Sequence, residues 1–135
     1  MKTINILTLL TTKDRLEYLD DTMSLRQAIE KMKVHHYTNI PVIKKDDGTY
    51  IGTLSEGDLM WNMYDNLYTI KDLEEHKVLE ILKKDRCKAL KVSATYSDLL
   101  QTIINQNFVP IVDDRNVLMG IITRKSVINQ LKDEL

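Results

Sequence analysis

The sequence predicts an α/β (α+β) chain made of two copies of one β-α-β-β-α unit, and three features of its 135 residues predict it. The chain has only two prolines, and both sit in the same local context, Asn39-Ile40-Pro41-Val42-Ile43 and Phe108-Val109-Pro110-Ile111-Val112. Each run opens an acidic turn, Asp46-Asp47-Gly48 in one case and Asp113-Asp114-Arg115-Asn116 in the other. Each turn leads to a second apolar run that ends in glycine and a hydroxyl residue, Ile51-Gly52-Thr53-Leu54-Ser55 and Met119-Gly120-Ile121-Ile122-Thr123. Two copies are too few for a solenoid. A single copy could hardly bury both faces of a three-stranded sheet, so a fused pair about a pseudo-two-fold axis is expected.

The elements follow in order. Residues 1–12 read as an extra helix or arm packed on the pair, and 13–67 as the first repeat. Ser24-Leu25-Arg26-Gln27 is a capping-box pattern, after which Leu25, Ala28, Ile29 and Met32 recur at helical spacing. Pro41 and Pro110 come early in β-rich runs, where a missing N–H is tolerated. Asp47-Gly48 favours a tight hairpin. A helix from about Glu56 to Leu67 closes the first repeat, and residues 68–82 read as a polar, partly helical connector. The second repeat occupies 83–135. Thr95-Tyr96-Ser97-Asp98 opens its first helix, with Leu99, Leu100, Ile103 and Ile104 as the apolar face, and its last helix runs from about Arg124 to Leu131.

Composition excludes several classes. Hydrophobic residues make up 43% and charged residues 29%, an ordinary globular balance that argues against disorder. The net charge of −1 gives no whole-molecule field for nucleic acid or an anionic membrane, so any anion site must be local. Cys87 is the only cysteine, which rules out an intrachain disulfide and points to a reducing compartment. The start lacks a cleavage site, and no apolar run approaches the roughly 20 residues that span a bilayer. The expectation is a cytoplasmic protein with no membrane or nucleic-acid partner.

Tyr37-Thr38-Asn39-Ile40-Pro41-Val42 and Gly52-Thr53-Leu54-Ser55-Glu56-Gly57-Asp58-Leu59 resemble the two signatures of a CBS domain. Asn107 to Val112 and Gly120 to Val127 repeat them in order, with Gly52 and Gly120 about 68 residues apart. Each motif alone is weak; two ordered copies are strong. The resemblance covers nearly the whole chain and implies a tandem pair, or Bateman module, with two clefts that commonly bind adenosine nucleotides, often dimerised into a flat disc. Within the family the chain looks most like small stand-alone pairs of Gram-positive bacteria, some of which bind cyclic di-AMP. The shorter helix of the second copy, Tyr37-Thr38, Thr123-Arg124-Lys125 and Arg15 match their pattern. Glu17 stands where those proteins would carry a small residue beside a base.

The candidate site residues have two readings each. Ser55 and Asp58 form a second capping box with a carboxylate suited to the helix dipole. Equally, Asp58 would bind ribose hydroxyls while Ser55 and free N–H groups hold phosphate. Arg124 and Lys125 put positive charge at a helix start, the wrong end by about 0.3–1 kcal/mol each. They are either solvated surface charges or phosphate ligands beside Thr123 and Ser126. The first repeat carries the carboxylate and the second the cations. One composite site is therefore expected, with the base against Tyr37, Thr38 and Ile40 and the phosphate on Thr123, Arg124 and Lys125. Asn39, Pro41, Asn107, Phe108 and Val109 complete the expected nucleotide-binding set, with Phe108 read mainly as core.

Other features read as bland. His35-His36 lacks a zinc ligand set, Met60, Trp61, Met63 and Tyr64 suit a core or dimer interface, and Lys83-Lys84-Asp85-Arg86 reads as a solvated turn. No phosphate loop, metal motif or nucleophile elbow appears, so no enzyme is expected and no cofactor is required. The expected ligand is AMP, ADP, ATP or cyclic di-AMP. The expected partners are a second copy and an effector protein that the sequence does not name. The rival expectations are a ligand-free structural or protein-binding dimer and a nucleotide hydrolase.

Overall fold

The computed structural model describes residues 4–135. The first three residues of the expected N-terminal arm lie outside the described residues. In chain order the elements are a 3-10 turn at Ile6–Leu9, β1 (Thr11–Thr12), a second 3-10 turn at Lys13–Arg15, β2 (Leu19–Asp20), α1 (Leu25–His35), β3 (Asn39–Ile43), β4 (Tyr50–Ser55), α2 (Glu56–Asn66), α3 (Ile70–Glu75), α4 (Val78–Ile81), β5 (Leu90–Lys91), α5 (Tyr96–Ile103), β6 (Phe108–Val112), β7 (Leu118–Thr123) and α6 (Arg124–Asp133). The β-α-β-β-α order occurs twice, as the punctuation predicts.

The chain divides into two compact units, Glu17–Arg86 and the segment ending at Leu16 together with Cys87–Leu135. The first repeat's unit holds a sheet of order β2-β3-β4, with β2 parallel and β4 antiparallel to β3. Pro41 is tolerated in this central strand because β2 pairs only from Val42 onward, so no ladder bond is asked of the proline N. Pro110 stands in the same relation to β5, which pairs from Ile111. The core of this unit contains Leu19, Leu25, Ala28, Ile40, Val42 and Leu54. The connector adds Leu73 and Val78 to it, so these residues are less a polar bridge than part of the first repeat's interior.

The other unit has a four-stranded sheet of order β1-β7-β6-β5. Its extra strand comes from the N-terminal arm, where Thr11 pairs with Ile121 and Thr12 with Gly120. Ile6 is buried in the core of this unit with Leu99, Val109, Ile111, Ile122 and Val127.

Local chemistry sets the element ends. Complete capping boxes start α1 at Ser24 and Gln27, α2 at Ser55 and Asp58, and α5 at Thr95 and Asp98. His36 and Leu67 close α1 and α2 in the left-handed conformation. Helix α1 has 11 residues and α5 has 8, so the second copy is shorter here. Ile104 departs from its expected apolar face: it caps α5 and is exposed. The β3–β4 connection is also looser than a two-residue hairpin, with Lys44 N–H donating to the Thr49 carbonyl across it at 2.8 Å. Gly48 takes positive φ there, as Asn116 does in the second repeat.

Candidate functional site

In the first repeat the candidate residues gather at the start of α2. The Ser55 hydroxyl accepts from the Asp58 N–H, and Asp58 Oδ2 accepts from the Ser55 N–H, each at 3.0 Å. The capping reading is therefore realised, and it seats Asp58 with its side chain only 2% exposed. A buried carboxylate needs compensation. Arg86 provides it: Nη1 donates to Asp58 Oδ1 and, at 2.7 Å, to Ser55 Oγ. Lys83 Nζ lies 3.7 Å from the same carboxylate oxygen.

Lys83-Lys84-Asp85-Arg86 is an exposed turn, as expected, but Lys83 and Arg86 reach from it to the Asp58 carboxylate. A signal for Arg86 existed in the sequence, since Lys84-Asp85-Arg86 repeats Lys13-Asp14-Arg15. Ser55, Gly57, Asp58, Trp61, Asn62, Lys83 and Arg86 line a cavity of about 380 Å³. That lies within the range of small-ligand pockets, about 300–1,000 Å³.

The remaining first-repeat residues lie around the β3 start. Tyr37 is half-buried, and its hydroxyl accepts from the Glu17 N–H at 3.3 Å. The Glu17 carboxylate faces Lys31 at 3.2 Å and His35 at 3.4 Å. Thr38 is exposed; its carbonyl accepts from the Glu56 N–H at 2.9 Å, and its hydroxyl accepts from Asn39 Nδ2 at 3.2 Å. Ile40 and Pro41 are buried.

The second repeat builds the matching corner differently. Thr123 Oγ1 accepts from the Ser126 N–H at 3.1 Å, and the Ser126 hydroxyl donates back to the Thr123 carbonyl at 2.8 Å. Arg124 turns away from its own helix start. Its Nε donates to the Ile103 carbonyl at 3.2 Å and its Nη2 to the Gln106 carbonyl at 2.9 Å. It thus serves the carbonyl end of α5, where positive charge is favoured, which resolves its cost at the N-terminus of α6.

Lys125 is exposed and, among the described residues, no hydrogen bond or salt bridge holds its ammonium. The same is true of the Arg15 guanidinium, on a turn packed against β7. Asn107 is exposed and its carbonyl accepts from the Arg124 N–H at 2.9 Å, while Phe108 and Val109 are buried. The two units thus differ in chemistry: the first pairs its arginine with a carboxylate, and the second has Ser126 in that position.

Comparison with known proteins places this architecture. The family model of the CBS domain matches residues 10–65 and again 76–133. A CBS domain protein of Streptococcus pneumoniae has a similar structure, with TM-score 0.87 and 25% identity over 94% of this chain and 86% of that one. CbpB of Listeria monocytogenes, solved in complex with c-di-AMP, superposes with TM-score 0.86 at 18% identity, covering 97% of each chain. An uncharacterised protein of Methanocaldococcus jannaschii is 24% identical over 125 residues, 84% of this chain. The match spans only 45% of the length of that relative. With both halves matched and the β-α-β-β-α order repeated, the chain belongs to the CBS domain family.

Proposed function

We propose that this CBS pair is a regulatory module that binds an adenine nucleotide and reports occupancy to a separate effector protein, without catalysing a reaction. The observation that carries the reading is the cavity at the start of α2, where the buried Asp58 carboxylate, the Ser55 hydroxyl and the cations of Lys83 and Arg86 meet, with Asp65 and Glu80 also in the lining. Such a set offers acceptors to ribose hydroxyls and donors to phosphate. The fold likeness to a protein crystallised with c-di-AMP supports the ligand class. Arg15 and Lys125 are the proposed phosphate contacts of the second repeat. Signalling follows if the ligand prefers one arrangement of the protein over another.

A thermal-shift screen with AMP, ADP, ATP, S-adenosylmethionine and cyclic di-AMP tests the proposal. A ligand at about 100 times its Kd adds roughly 2.7 kcal/mol of stability. No shift with any of the five sinks the nucleotide reading. Turnover of ATP or cyclic di-AMP by the pure protein would replace it with an enzyme.

A second reading, assembly with another copy of the chain, is favoured by one groove. Ile29, Met32, Leu59, Met60, Met63 and Leu73 line an open, mainly apolar cavity of about 720 Å³ on the first repeat. Apolar surface of this kind marks interaction sites. Sedimentation of wild type against Met60→Lys tests it, a dimer converting to monomer being the expected result.

A further inference from the structure

Helices α2 and α6 hold corresponding places in the two repeats, each starting directly after a capping hydroxyl residue, Ser55 or Thr123. Each leaves an apolar stripe uncovered. Met60 and Ile128 are equivalent positions on the stripes, 55% and 54% exposed. What borders them differs. One turn before Met60 stands Glu56, and one turn before Ile128 stands Arg124, with Lys125 beside it. One turn after Met60 stands Tyr64, and one turn after Ile128 stands Lys132. Glu56 and Lys132 are both exposed, and among the described residues no hydrogen bond or salt bridge engages either charged group. The other acids of the two helices lie off the stripes. Asp58 is buried against Arg86, while Asp65 and Asp133 are about 140° round their helices from Met60 and Ile128. Glu134, past the end of α6, accepts from Gln130 Nε2 at 2.9 Å. On the neighbouring helices, Lys33 and His36 line the groove beside Glu56 and Met60, whereas the exposed Ile104 at the end of α5 adds no charge. Asp98, at the start of α5, is engaged in its own capping box. The first face is thus mixed in charge and aromatic, and the stripe of the second is bordered by cations alone.

We propose that copies of the chain associate through unlike faces, the α2 stripe of one copy docking antiparallel on the α6 stripe of another. The contact rests on the reading of the chain as one that assembles with itself, and deepens it by naming which faces meet. Two α6 stripes cannot meet without opposing like charges. Crossed antiparallel, they set Lys132 of one copy against Arg124 and Lys125 of the other; crossed parallel, they set each cation on its own counterpart. Like charges brought together in this way are costly. An α2 stripe removes the conflict. Glu56 and Tyr64 are separated along α2 by the same distance as Arg124 and Lys132 along α6, about 12 Å at 1.5 Å per residue. With Met60 set on Ile128, an antiparallel crossing therefore brings the Glu56 carboxylate to the Lys132 ammonium. It also lays the Tyr64 ring at the cationic start of α6, where the face of the ring attracts positive charge. Both free charges then have a partner, and the two exposed apolar residues cover each other.

The test is disulfide crosslinking of the full chain with Met60→Cys and Ile128→Cys, one of the two carrying a tag that shifts its mass. Cys87 is buried, and the wild type is the control for it. Under mild oxidation the equimolar mixture is expected to yield the crosslink of unlike mass, and each variant alone to stay uncrosslinked. Sedimentation of charge reversals supplies a second measurement. Glu56→Lys and Lys132→Glu are each expected to weaken self-association by about tenfold, the scale of a close charge pair. Both reversals in one chain are expected to return it to within about threefold of wild type. Crosslinking of Met60→Cys with itself, or of Ile128→Cys with itself, as fast as in the mixture overturns the unlike contact while leaving self-assembly intact. So does a double reversal no tighter than the single ones. A wild type that sediments as a monomer at every concentration overturns the contact and the assembly reading together.

Discussion

A Cβ on Gly120 would lie 2.2 Å from the carbonyl oxygen of Thr11. The arm strand β1 therefore approaches β7 at a distance only glycine permits. The first repeat has the same arrangement with a different partner, since a Cβ on Gly52 would meet the Leu82 side chain at 3.0 Å. In each unit a segment outside the β-α-β-β-α core covers the glycine that precedes the hydroxyl-capped helix.

Gly120→Ala is expected to cost about 1–3 kcal/mol, because the clash is with backbone and β1 must shift. Denaturant unfolding measures the loss, and hydrogen exchange at the Thr11 and Thr12 amides should quicken with it. Gly52→Ala carries strain of another kind, since Gly52 has φ +156. Part of its cost is steric, so Leu82→Ala should recover some stability in the double variant. Full additivity of those two changes would show that the close approach has no energetic consequence.

Leu54 and Ile122 hold corresponding positions in β4 and β7, and both are fully buried. Leu54→Ala and Ile122→Ala are each expected to lose about 2–5 kcal/mol. A loss below about 1 kcal/mol at either site would mean that its repeat collapses around the cavity.

The two cations at the start of α6 should separate cleanly. Arg124→Ala removes the bonds to the Ile103 carbonyl at the end of α5 and to the Gln106 carbonyl just beyond it, and is expected to destabilise by about 1–2 kcal/mol. Lys125→Ala should stay within about 0.5 kcal/mol of wild type in stability. If the nucleotide reading holds, Lys125→Ala instead weakens ligand binding. Equal stability losses in the two variants would contradict the geometry.

Acid should destabilise the protein through its capping carboxylates. The Thr95 backbone N–H holds the Asp98 carboxyl below its usual range, and Thr69 does the same for Asp72. The His76 side chain and then the Lys77 N–H hold Glu80 down. Folded-state values below unfolded ones mean that this stabilisation is present above the unfolded values, near 3.8 for aspartate and 4.5 for glutamate. It is lost as pH falls through the depressed folded values. Melting temperature should therefore drop below about pH 4.5 as these groups protonate, and Asp98→Asn should flatten part of that limb. A fall centred well above about pH 5 would show that these carboxylates are not its cause.

The duplication, the capping boxes and the two proline-bearing strands were legible in the sequence because they rest on interactions between residues close in the chain. Ser24 reaches Gln27, Ser55 reaches Asp58, and Thr95 reaches Asp98, each across three positions. Tertiary structure alone decided where the long-range partners lie. Arm residues and the Lys-Asp-Arg triplets carry no local periodicity that names a partner. Only sheet register joins Thr11 to Ile121, and only the return of the connector brings Arg86 to Asp58. Arg124 is the plainest case. Its neighbours in sequence mark it as a cation at the wrong helix end, while in space it reaches the carbonyl end of another helix, where a cation is favoured. Sequence spacing determined which residues form each repeat, and through-space electrostatics determined which charges are paired within the fold.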